Sequence, residues 1–345
     1  MAAILDHLDV LDRPHRPAPG SPALPTYKEW YHFNLLDDAA GIDTIVNLSL
    51  TGDPYRPDQG DANLIILAHR RSRGWTGGLD QHDGLAAVLD DATTDLAIGR
   101  SRLVWENGAF TLDAGLRDGS LELACRLVPM SEPMMIWKDT PIGSGRLNWL
   151  ILPWLEAAGR LSIASATHEF ERVRAYHDHN WGHWRWGENF GWDWGFSSRL
   201  GRAPDGESLT IVYDRTTDRQ RSLVQEHTLA LWKGGALLKL FTRRSLDHVR
   251  SGRFDGVVRI PGAMNLANPG LVLSVPARVG ITAKDGTDWL EAEYRVEAAR
   301  QVAIPTDLGF GTVELNETFG RLTVAGHVGG LPIGLEGRAC FEFVA

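Results

Sequence analysis

The residues best suited to chemistry are concentrated between Tyr176 and Gly195, in the sequence YHDHNWGHWRWGENFGWDWG. Five of the chain's thirteen tryptophans fall within fourteen residues here, mixed with histidines, aspartates and glycines. A buried indole N–H needs an acceptor and a buried carboxylate needs a partner, so an ordinary core rarely contains this mixture. Titratable groups among large aromatic side chains are typical of a lined pocket.

Asp178 is the first candidate for catalysis. An aspartate surrounded by indoles would lose hydration, which favours its neutral form. A carboxylic acid that stays neutral near neutral pH can protonate an alkene or donate a hydrogen bond to a developing oxyanion, and a positioned acid contributes about 10²- to 10⁴-fold to a rate. The alternative is a structural carboxylate that accepts backbone N–H bonds at a tight turn.

His177 and His179 form the second candidate group. On a strand, residues two apart project from the same face, as in metal sites that two histidines form on a sheet. No carboxylate follows at the spacing of the common β-barrel metal motif, and we predict no metal. The two rings are then either structural side chains, hydrogen-bonded to neighbouring strands, or catalytic groups that contact the substrate.

Side-chain alternation sorts this segment into two faces. Which face lines a pocket does not follow from the pattern. The alternation predicts one face with Tyr176, Asp178 and Asn180 and the opposite face with His177, His179 and Trp181. After a glycine-rich turn, a second strand is expected to place Trp192 and Trp194 opposite Asp193.

The tryptophans have two functional uses besides core packing between domains. Indole faces attract cations by about 0.5–2 kcal/mol each, which suits a carbocation formed from a polyene. Rigid aromatic walls can also fold a flexible apolar chain into a reactive conformation, and such pre-organisation can contribute up to about 7–11 kcal/mol. We therefore predict a cavity wall that includes Trp181, Trp184, Trp186, Trp192 and Trp194.

Composition narrows the class of protein. The net charge of −9 argues against nucleic-acid binding, which needs a basic surface. Acidic residues near the N-terminus and the absence of long apolar runs predict neither a secretory leader nor a transmembrane segment. Cys125 and Cys340 lie in strand-like runs and are expected to be buried free thiols. These features together predict a cytoplasmic location.

Short alternating runs with turn residues between them predict an all-β protein with few short helices. Asn107-Gly108 and Gly234-Gly235 are hairpin signals, and residues 83–92 are the best helix candidate. The length favours two domains. The predicted boundaries are a disordered or extended arm over 1–25, an N-terminal domain with the DHNWG motif over 26–218, and a C-terminal domain over 219–345.

The motifs resemble a known superfamily. YHDHNWG at residues 176–182, followed by GWDW at 191–194, resembles the hydroxyneurosporene synthase (carotenoid 1,2-hydratase) superfamily of lipocalin-like proteins. That superfamily also includes AttH-like proteins and fungal Diels–Alderases of decalin biosynthesis. EWYHFN at 29–34 resembles its opening strand, and GFGTVE at 309–314 resembles a late strand.

The resemblance implies two lipocalin-like β-barrel or β-sandwich domains with a ligand cavity at or near their junction. It also implies an apolar, often polyunsaturated substrate and chemistry that needs no redox cofactor. Two reactions follow from it: addition of water to a terminal isoprenoid double bond, and templated intramolecular cyclisation.

We therefore predict a cofactor-independent hydratase or cyclase that acts on C=C bonds of an apolar terpenoid or polyene. Asp178 would be the general acid, with His177 or His179 tuning it or handling water. The alternatives are a pericyclase without proton transfer and a carrier that leaves its apolar ligand unchanged. Transient membrane contact during substrate uptake is compatible with each of these. The predicted substrate contacts are Tyr176, Asn180, Trp181, Trp184, Trp186, Trp192, Trp194, Glu29 and Trp30.

Overall fold

The computed structural model describes residues 8–56, 58–197, 206–260, 275–309 and 311–344. The chain divides into two compact units, Met1–Arg185 (unit 1) and Trp186–Ala345 (unit 2). Each unit is built on one large, mainly antiparallel sheet, which confirms the predicted all-β fold with two domains. In the described ranges, the helical elements are α1 (Leu8–Leu11) and three 3-10 turns at Leu24–Thr26, Gly84–Ala86 and Arg243–Ser245.

Unit 1 contains a 12-stranded sheet within its described residues. Its strands are β1 (Tyr27–Asp37), β2 (Ile42–Gly52), β3 (Gly60–Arg70), β4 (Gly74–Asp83), β5 (Ala87–Leu89), β6 (Asp95–Ile98), β7 (Ser101–Glu106), β8 (Ala109–Gly115), β9 (Leu121–Pro129), β10 (Met134–Ile142), β11 (Gly145–Ile163) and β12 (Ala166–His183). The order is β4-β3-β2-β1-β12-β11-β9-β8-β7-β6-β5, with β10 beside β11. The sheet curls around one hydrophobic core, across which β3 contacts β6, β8 and β9.

Unit 2 contains a 10-stranded sheet within its described residues. Its strands are β13 (Gly191–Ser197), β14 (Leu209–Thr217), β15 (Val224–Lys233), β16 (Ala236–Thr242), β17 (Leu246–Ser251), β18 (Val257–Ile260), β19 (Arg278–Asp285), β20 (Asp288–Pro305), β21 (Thr312–Val328) and β22 (Leu331–Val344). The order is β16-β15-β14-β13-β22-β21-β20-β19-β17, and β18 runs parallel to β20. Contacts of β15 with β17 and of β16 with β19 bring the two edges of this sheet together around a second core.

Both predicted hairpins form. Asn107 and Gly108 connect β7 to β8 with φ angles of 52° and 72°, and Gly234 and Gly235 connect β15 to β16 with 57° and 87°. Two successive residues with positive φ match the right-handed twist of the strands they connect, which is why Asn-Gly and Gly-Gly are the usual sequences there. Cys125 and Cys340 are buried free thiols, as predicted.

The predicted helix over residues 83–92 is wrong apart from one 3-10 turn. Residues Ala87–Leu89 instead form β5 and pair with β6. Pairing with a neighbouring strand outweighs the weak helical preference of a short Ala- and Leu-containing run.

The two units meet in sequence after Arg185, whereas the sequence predicted a boundary near residue 218. The reason is strand pairing: β13 pairs with β14 and β22, and β14 pairs with β15, so both β13 and β14 belong to the second sheet. The tryptophan-rich segment is therefore divided. Its DHNWG block ends β12 in unit 1, and its GWDWG block forms β13 in unit 2.

Residues 8–25 pack against unit 1, where the sequence predicted a disordered or extended arm. Leu8 is fully buried in the unit-1 core, and the Asp12 side chain is fully buried as well. Thr94 Oγ1 donates a hydrogen bond to the Asp12 carbonyl at 2.9 Å, and Tyr55 OH donates to the Pro17 carbonyl at 3.1 Å. Residues 1–7 of the predicted arm lie outside the described part of the chain.

Across the described ranges, we find no helix with the length and apolar composition needed to cross a bilayer.

Candidate active site

The DHNWG motif lies on β12, which is paired on one side with β1 and on the other with β11. Asp178 is opposite His32 of β1 and Ile151 of β11, and its neighbour His179 is opposite Tyr31 and Leu150. Alternation along β12 gives two rows of side chains. We call the row that includes His177 and His179 the core face, because Tyr31 beside it belongs to the unit-1 core, and the row that includes Asp178 the outer face.

On the outer face, Asp178 is held by its two neighbours in the same row. Tyr176 OH donates to Asp178 Oδ2 at 3.0 Å, and Asn180 Nδ2 donates to Asp178 Oδ1 at 2.7 Å. The Asp178 residue is only 4% exposed. The carboxyl group is therefore fixed in position and removed from bulk water.

Indoles lie on the same outer face, at the next position of that face along the strand from Asp178. Trp30 of β1 and Trp149 of β11 both lie opposite Asn180 in the strand register. Trp30 packs edge-on against Trp184 at a ring-centroid distance of 5.4 Å, and Trp149 packs edge-on against Trp137 of β10 at 5.1 Å. Of these four tryptophans, the sequence did not single out Trp137 and Trp149.

The indole N–H groups of Trp137 and Trp149 are buried and have no hydrogen-bond partner among the described residues. A buried donor without a partner costs about 1–3 kcal/mol. A bound molecule with an acceptor oxygen at this position would offset that cost. The outer face therefore combines apolar walls with donors that a ligand can satisfy.

Three further polar side chains share the outer face on β1. Lys28 is 2% exposed, with its Nζ 5.9 Å from the centre of the Trp184 ring. His32 Nε2 is 2.9 Å from Asn34 Oδ1, and burial lowers the pKa of His32 to about 4. At neutral pH the His32 ring is therefore uncharged and has one donor and one acceptor nitrogen.

On the core face, His179 lies between two carboxylates. Its Nε2 is 2.8 Å from Glu29 Oε1, and its Nδ1 is 3.2 Å from Asp12 Oδ1. Burial disfavours the charged ring, but the contacts with both acids outweigh burial and raise the pKa of His179 to about 9. Burial likewise disfavours charge on Asp12, yet its contacts with His177 and His179 lower the pKa of Asp12 to about 2. The cluster is a buried ion pair at neutral pH.

The segment before β1 completes this core-face cluster. His177 Nε2 lies 3.1 Å from Asp12 Oδ1, and the backbone N–H of His15 donates to Glu29 Oε1 at 2.8 Å. The His15 ring stacks on Trp181 at 3.9 Å. Asp12 and His15 are partners that the sequence did not suggest, because nothing in a Pro- and Gly-rich stretch indicates where it will pack.

The sheet backbone separates the residues predicted to act together in catalysis. Asp178 is on the outer face with Tyr176 and Asn180, whereas both histidines are on the core face with Glu29 and Trp181. The hydrogen bonds and ion pairs of the His177 and His179 rings go to Asp12, Glu29 and the His32 carbonyl. Their rings therefore support β12 from behind.

The remaining predicted contacts lie in unit 2. Trp186 packs against Trp192 at 5.7 Å, and Phe190 stacks on Trp192 at 6.0 Å. Trp192 Nε1 donates to Glu342 Oε1, and Trp194 lies 5.6 Å from Phe196. Trp192 and Trp194 are on the side of β13 opposite Asp193, as the alternation predicted.

Among the residues that the structure describes, no group of three or more His, Cys, Asp or Glu side chains is arranged to hold a metal ion.

Comparisons with known proteins identify the fold. No model of a protein family matches the sequence, and no curated protein does. A candidate AttH from Nitrosomonas europaea has a similar structure, with a TM-score of 0.64, 17% identity and coverage of 96% of this chain and 98% of that one. Kievitone hydratase from Nectria haematococca has a TM-score of 0.60 and 11% identity, with coverage of 96% of each chain. CghA in complex with Sch210972 has a TM-score of 0.56 and 12% identity, with coverage of 95% of this chain and 93% of that one.

These neighbours match the AttH-like group that the motifs resembled in sequence. At these identities the likeness shows a shared fold. It covers both units, because each alignment spans nearly the whole of both chains.

Proposed function

We propose that this protein is a cofactor-independent enzyme that acts on a C=C bond of an apolar terpenoid or polyene, by acid-catalysed hydration or by intramolecular cyclisation. The observation that carries the proposal is the outer face of β12, where a buried carboxyl group is fixed among indoles. Proteins of the same fold include a hydratase and a Diels–Alderase, which supports a lyase or cyclase.

In the proposed reaction, Asp178 in its acid form gives its proton to one carbon of the alkene. The positive charge on the other carbon is stabilised by the faces of Trp30 and Trp184, at about 0.5–2 kcal/mol for each cation–π contact. Water then adds to the cation and returns a proton to the Asp178 carboxylate, so that the net change is addition of one water. In cyclisation, a second double bond of the substrate attacks the cation instead, and loss of a proton regenerates the acid.

Tyr176 and Asn180 hold the carboxyl group for this step. A group fixed by two hydrogen bonds keeps the geometry that proton transfer needs, and positioned acid catalysis contributes about 10²- to 10⁴-fold. Trp137 and Trp149 can donate their N–H groups to an oxygen of the substrate. We assign His177, His179, Glu29 and Trp181 to the support of β12.

Isotope labelling tests this proposal. A panel of prenylated and polyene compounds would be incubated with the protein in H₂¹⁸O and, separately, in D₂O, and the products analysed by mass spectrometry. Hydration incorporates ¹⁸O and one solvent deuterium, and proton-initiated cyclisation gives an isomer without ¹⁸O that carries solvent deuterium where the alkene was protonated. The Asp178→Asn variant should lose the labelled product, while the exposed Asp38→Asn variant, on the turn after β1, should retain it.

A pericyclase is the second candidate, and one observation favours it. Both oxygens of Asp178 already accept hydrogen bonds, so the carboxylate together with Tyr176, Asn180 and the indole donors could polarise a substrate carbonyl without transferring a proton. Its product would be an unlabelled isomer, and its rate would be flat between about pH 5 and 9 because no acid titrates.

The remaining possibility is a carrier. Binding of the compound would then quench tryptophan fluorescence, and the compound would be recovered unchanged. Trp186, Trp192 and Trp194 stay proposed substrate contacts, to be tested by leucine substitution in the same assay. Cytoplasmic action on an apolar small molecule belongs to the same proposal.

A further inference from the structure

Unit 2 has its own buried charged cluster, centred on Asp193 of β13. The Asp193 side chain is fully buried. It lies opposite Arg215 of β14 and Phe343 of β22 in the strand register, on the side of the sheet that faces the unit-2 core. A carboxylate at such a position needs positive partners.

Three arginines converge on this one carboxylate. Arg221 Nη1 is 2.7 Å from Asp193 Oδ1, and Arg250 donates to both carboxylate oxygens through Nε and Nη2. Arg215 Nη1 is farther away, 3.6 Å from Oδ2. His248 Nε2 lies 3.2 Å from Oδ2, and its other ring nitrogen is 2.7 Å from Tyr213 OH.

The cluster has more positive than negative charge. Burial is the main reason that the pKa of His227 falls to about 4 and that of His248 to about 3, so both rings are neutral at physiological pH. Three permanent guanidinium charges then face one carboxylate. Glu226 on β15 is already paired with Arg243 at the surface and does not join the cluster.

Arg215 is the least satisfied of the three arginines. Its side chain is only 10% exposed. It makes no side-chain hydrogen bond to any residue in the described ranges; its ion pair is the 3.6 Å contact with Asp193. A guanidinium has five donors in a planar fork that fits a carboxylate or a phosphate, and burying it without partners is costly.

We propose that Arg215, together with Arg221 and Arg250, forms an oxyanion-binding site in unit 2 for a carboxylate or phosphate group. Asp193 holds Arg221 and Arg250 in place, and the donors of Arg215 remain for the ligand. The Arg221 and Arg250 side chains are each 17% exposed, so the cluster can be reached from solvent. This site is separate from the alkene chemistry proposed for β12.

The floor of the proposed site is apolar. The Arg250 guanidinium lies over the Phe343 ring at 4.7 Å, and Tyr213 stacks near Phe341 at 6.0 Å. Stacking fixes the plane of the Arg250 fork and lowers the local dielectric, which strengthens charge-assisted hydrogen bonds. The core below is filled by side chains, so the site fits a small anion or a terminal anionic group rather than a long buried chain.

Calorimetric titration of the intact protein tests the site. Sodium phosphate and sodium acetate would each be titrated against sodium chloride at matched ionic strength. The proposal expects saturable binding of phosphate, acetate or both, beyond the chloride signal, and a thermal midpoint that rises with the concentration of the bound anion. Phosphate alone would identify a phosphate site, and acetate would identify a carboxylate site.

Variants of the arginines test whether these side chains bind the anion. Arg215→Gln should lower the affinity for the anion by at least about tenfold, as expected for loss of a charge-assisted pair. The thermal midpoint of this variant in anion-free buffer should be the same as that of the wild type or higher. Arg215→Lys keeps the positive charge but loses the planar guanidinium group, so it should weaken anion binding several-fold. This second variant keeps the test possible if Arg215→Gln fails to fold. The matched control is Arg243→Gln, which removes an exposed arginine paired with Glu226 and should leave anion binding unchanged.

Three results would overturn the proposal. The first is the absence of saturable heat for both anions, and the second is an unchanged affinity in the Arg215 variants. A lower thermal midpoint for Arg215→Gln without anion would also count against it, because it would show that Arg215 is already satisfied within the protein.

Discussion

The two units bury charge in opposite ways. On the core face of unit 1, two acids, Asp12 and Glu29, enclose the single charged ring of His179. Behind β13 in unit 2, three arginines enclose the single carboxylate of Asp193. The same kind of curled sheet therefore supports an acid-rich cluster in one unit and a cation-rich cluster in the other.

This difference in surrounding charge determines whether the buried histidines are charged or neutral. Acidic neighbours keep His179 charged, whereas burial and neighbouring arginines keep His227 and His248 neutral. In unit 1, two acids face one charged ring, and each acid is in direct contact with that ring, so the charges there already have partners. In unit 2, three guanidinium groups face the Asp193 carboxylate, and this excess of positive charge is the basis of the proposed anion site.

The largest effect is expected from Asp193→Asn. Removing the carboxylate that Arg215, Arg221 and Arg250 share leaves buried positive charges uncompensated, which costs about 3–5 kcal/mol. The urea concentration at the midpoint of unfolding of unit 2 should fall accordingly. Asp285→Asn, which removes an exposed ion pair with Lys239, is the control and should cost less than about 1 kcal/mol. Equal shifts for the two variants would remove the contrast between the units.

The units should respond to pH in opposite directions. His179 binds its proton more tightly when folded, with a pKa of about 9 against 6.5, so its contribution is complete below pH 6.5 and is lost as pH rises to 9. That loss amounts to about 3 kcal/mol, since one pKa unit is worth about 1.4 kcal/mol. His227 and His248 bind protons less tightly when folded, so their contribution is complete above pH 6.5 and is lost as pH falls towards 4 and 3.

Hydrogen exchange measured by mass spectrometry can follow both units at once. After correction for intrinsic exchange, peptides from β12 should lose protection on alkalinisation, and peptides from β17 should lose it on acidification. If both sets of peptides changed in the same direction, the assignment of charged His179 and neutral His248 would be wrong.

Asp12→Asn should have a smaller effect than Asp193→Asn. His179 would keep Glu29 as a partner, so the expected loss comes from the weakened contacts of residue 12 with His177 and His179 and amounts to about 1.5–3 kcal/mol. Thermal unfolding of unit 1 would measure it. The same variant should also lose less stability than the wild type as pH rises from 6.5 to 9. An equal loss in the variant and the wild type would show that Glu29 alone keeps His179 charged.

Trp149→Phe is expected to have the smallest effect on stability. The smaller ring leaves a cavity, but the change also removes a buried N–H that has no partner in the described structure. These two effects oppose each other, so the free energy of unfolding should change by less than about 1 kcal/mol. Substrate binding should nevertheless weaken, because the donor for a substrate oxygen is lost. Unchanged substrate binding by this variant would contradict the donor role of Trp149.

Local patterns predicted much of the fold. Alternation correctly placed Tyr176 with Asp178, and Asn107-Gly108 correctly marked a hairpin, because both depend on neighbours in sequence. The division of the tryptophan-rich segment between β12 and β13 was not predictable in this way. It depends on pairing of β13 with β22, whose residues are far along the chain.

The sites were only partly predictable for the same reason. Asp178 and its two hydrogen-bond partners lie within five residues, so the sequence brought them together. Asp12 reaches His177 from 165 residues away, and Arg250 reaches Asp193 from 57 residues away. Nothing local marks either pair. Trp149 was also missed, because only the β11–β12 register brings it beside Asn180.

The central claim is that Asp178, on the outer face of β12, gives its proton to an alkene. The most direct measurement compares turnover by the wild type and the Asp178→Asn variant, with incorporation of solvent deuterium as the readout. The account predicts a loss of about 10²- to 10⁴-fold in the variant, with its fold intact. Turnover within about threefold of the wild type, with the same deuterium incorporated, would contradict it, because the loss of a positioned acid cannot be that small.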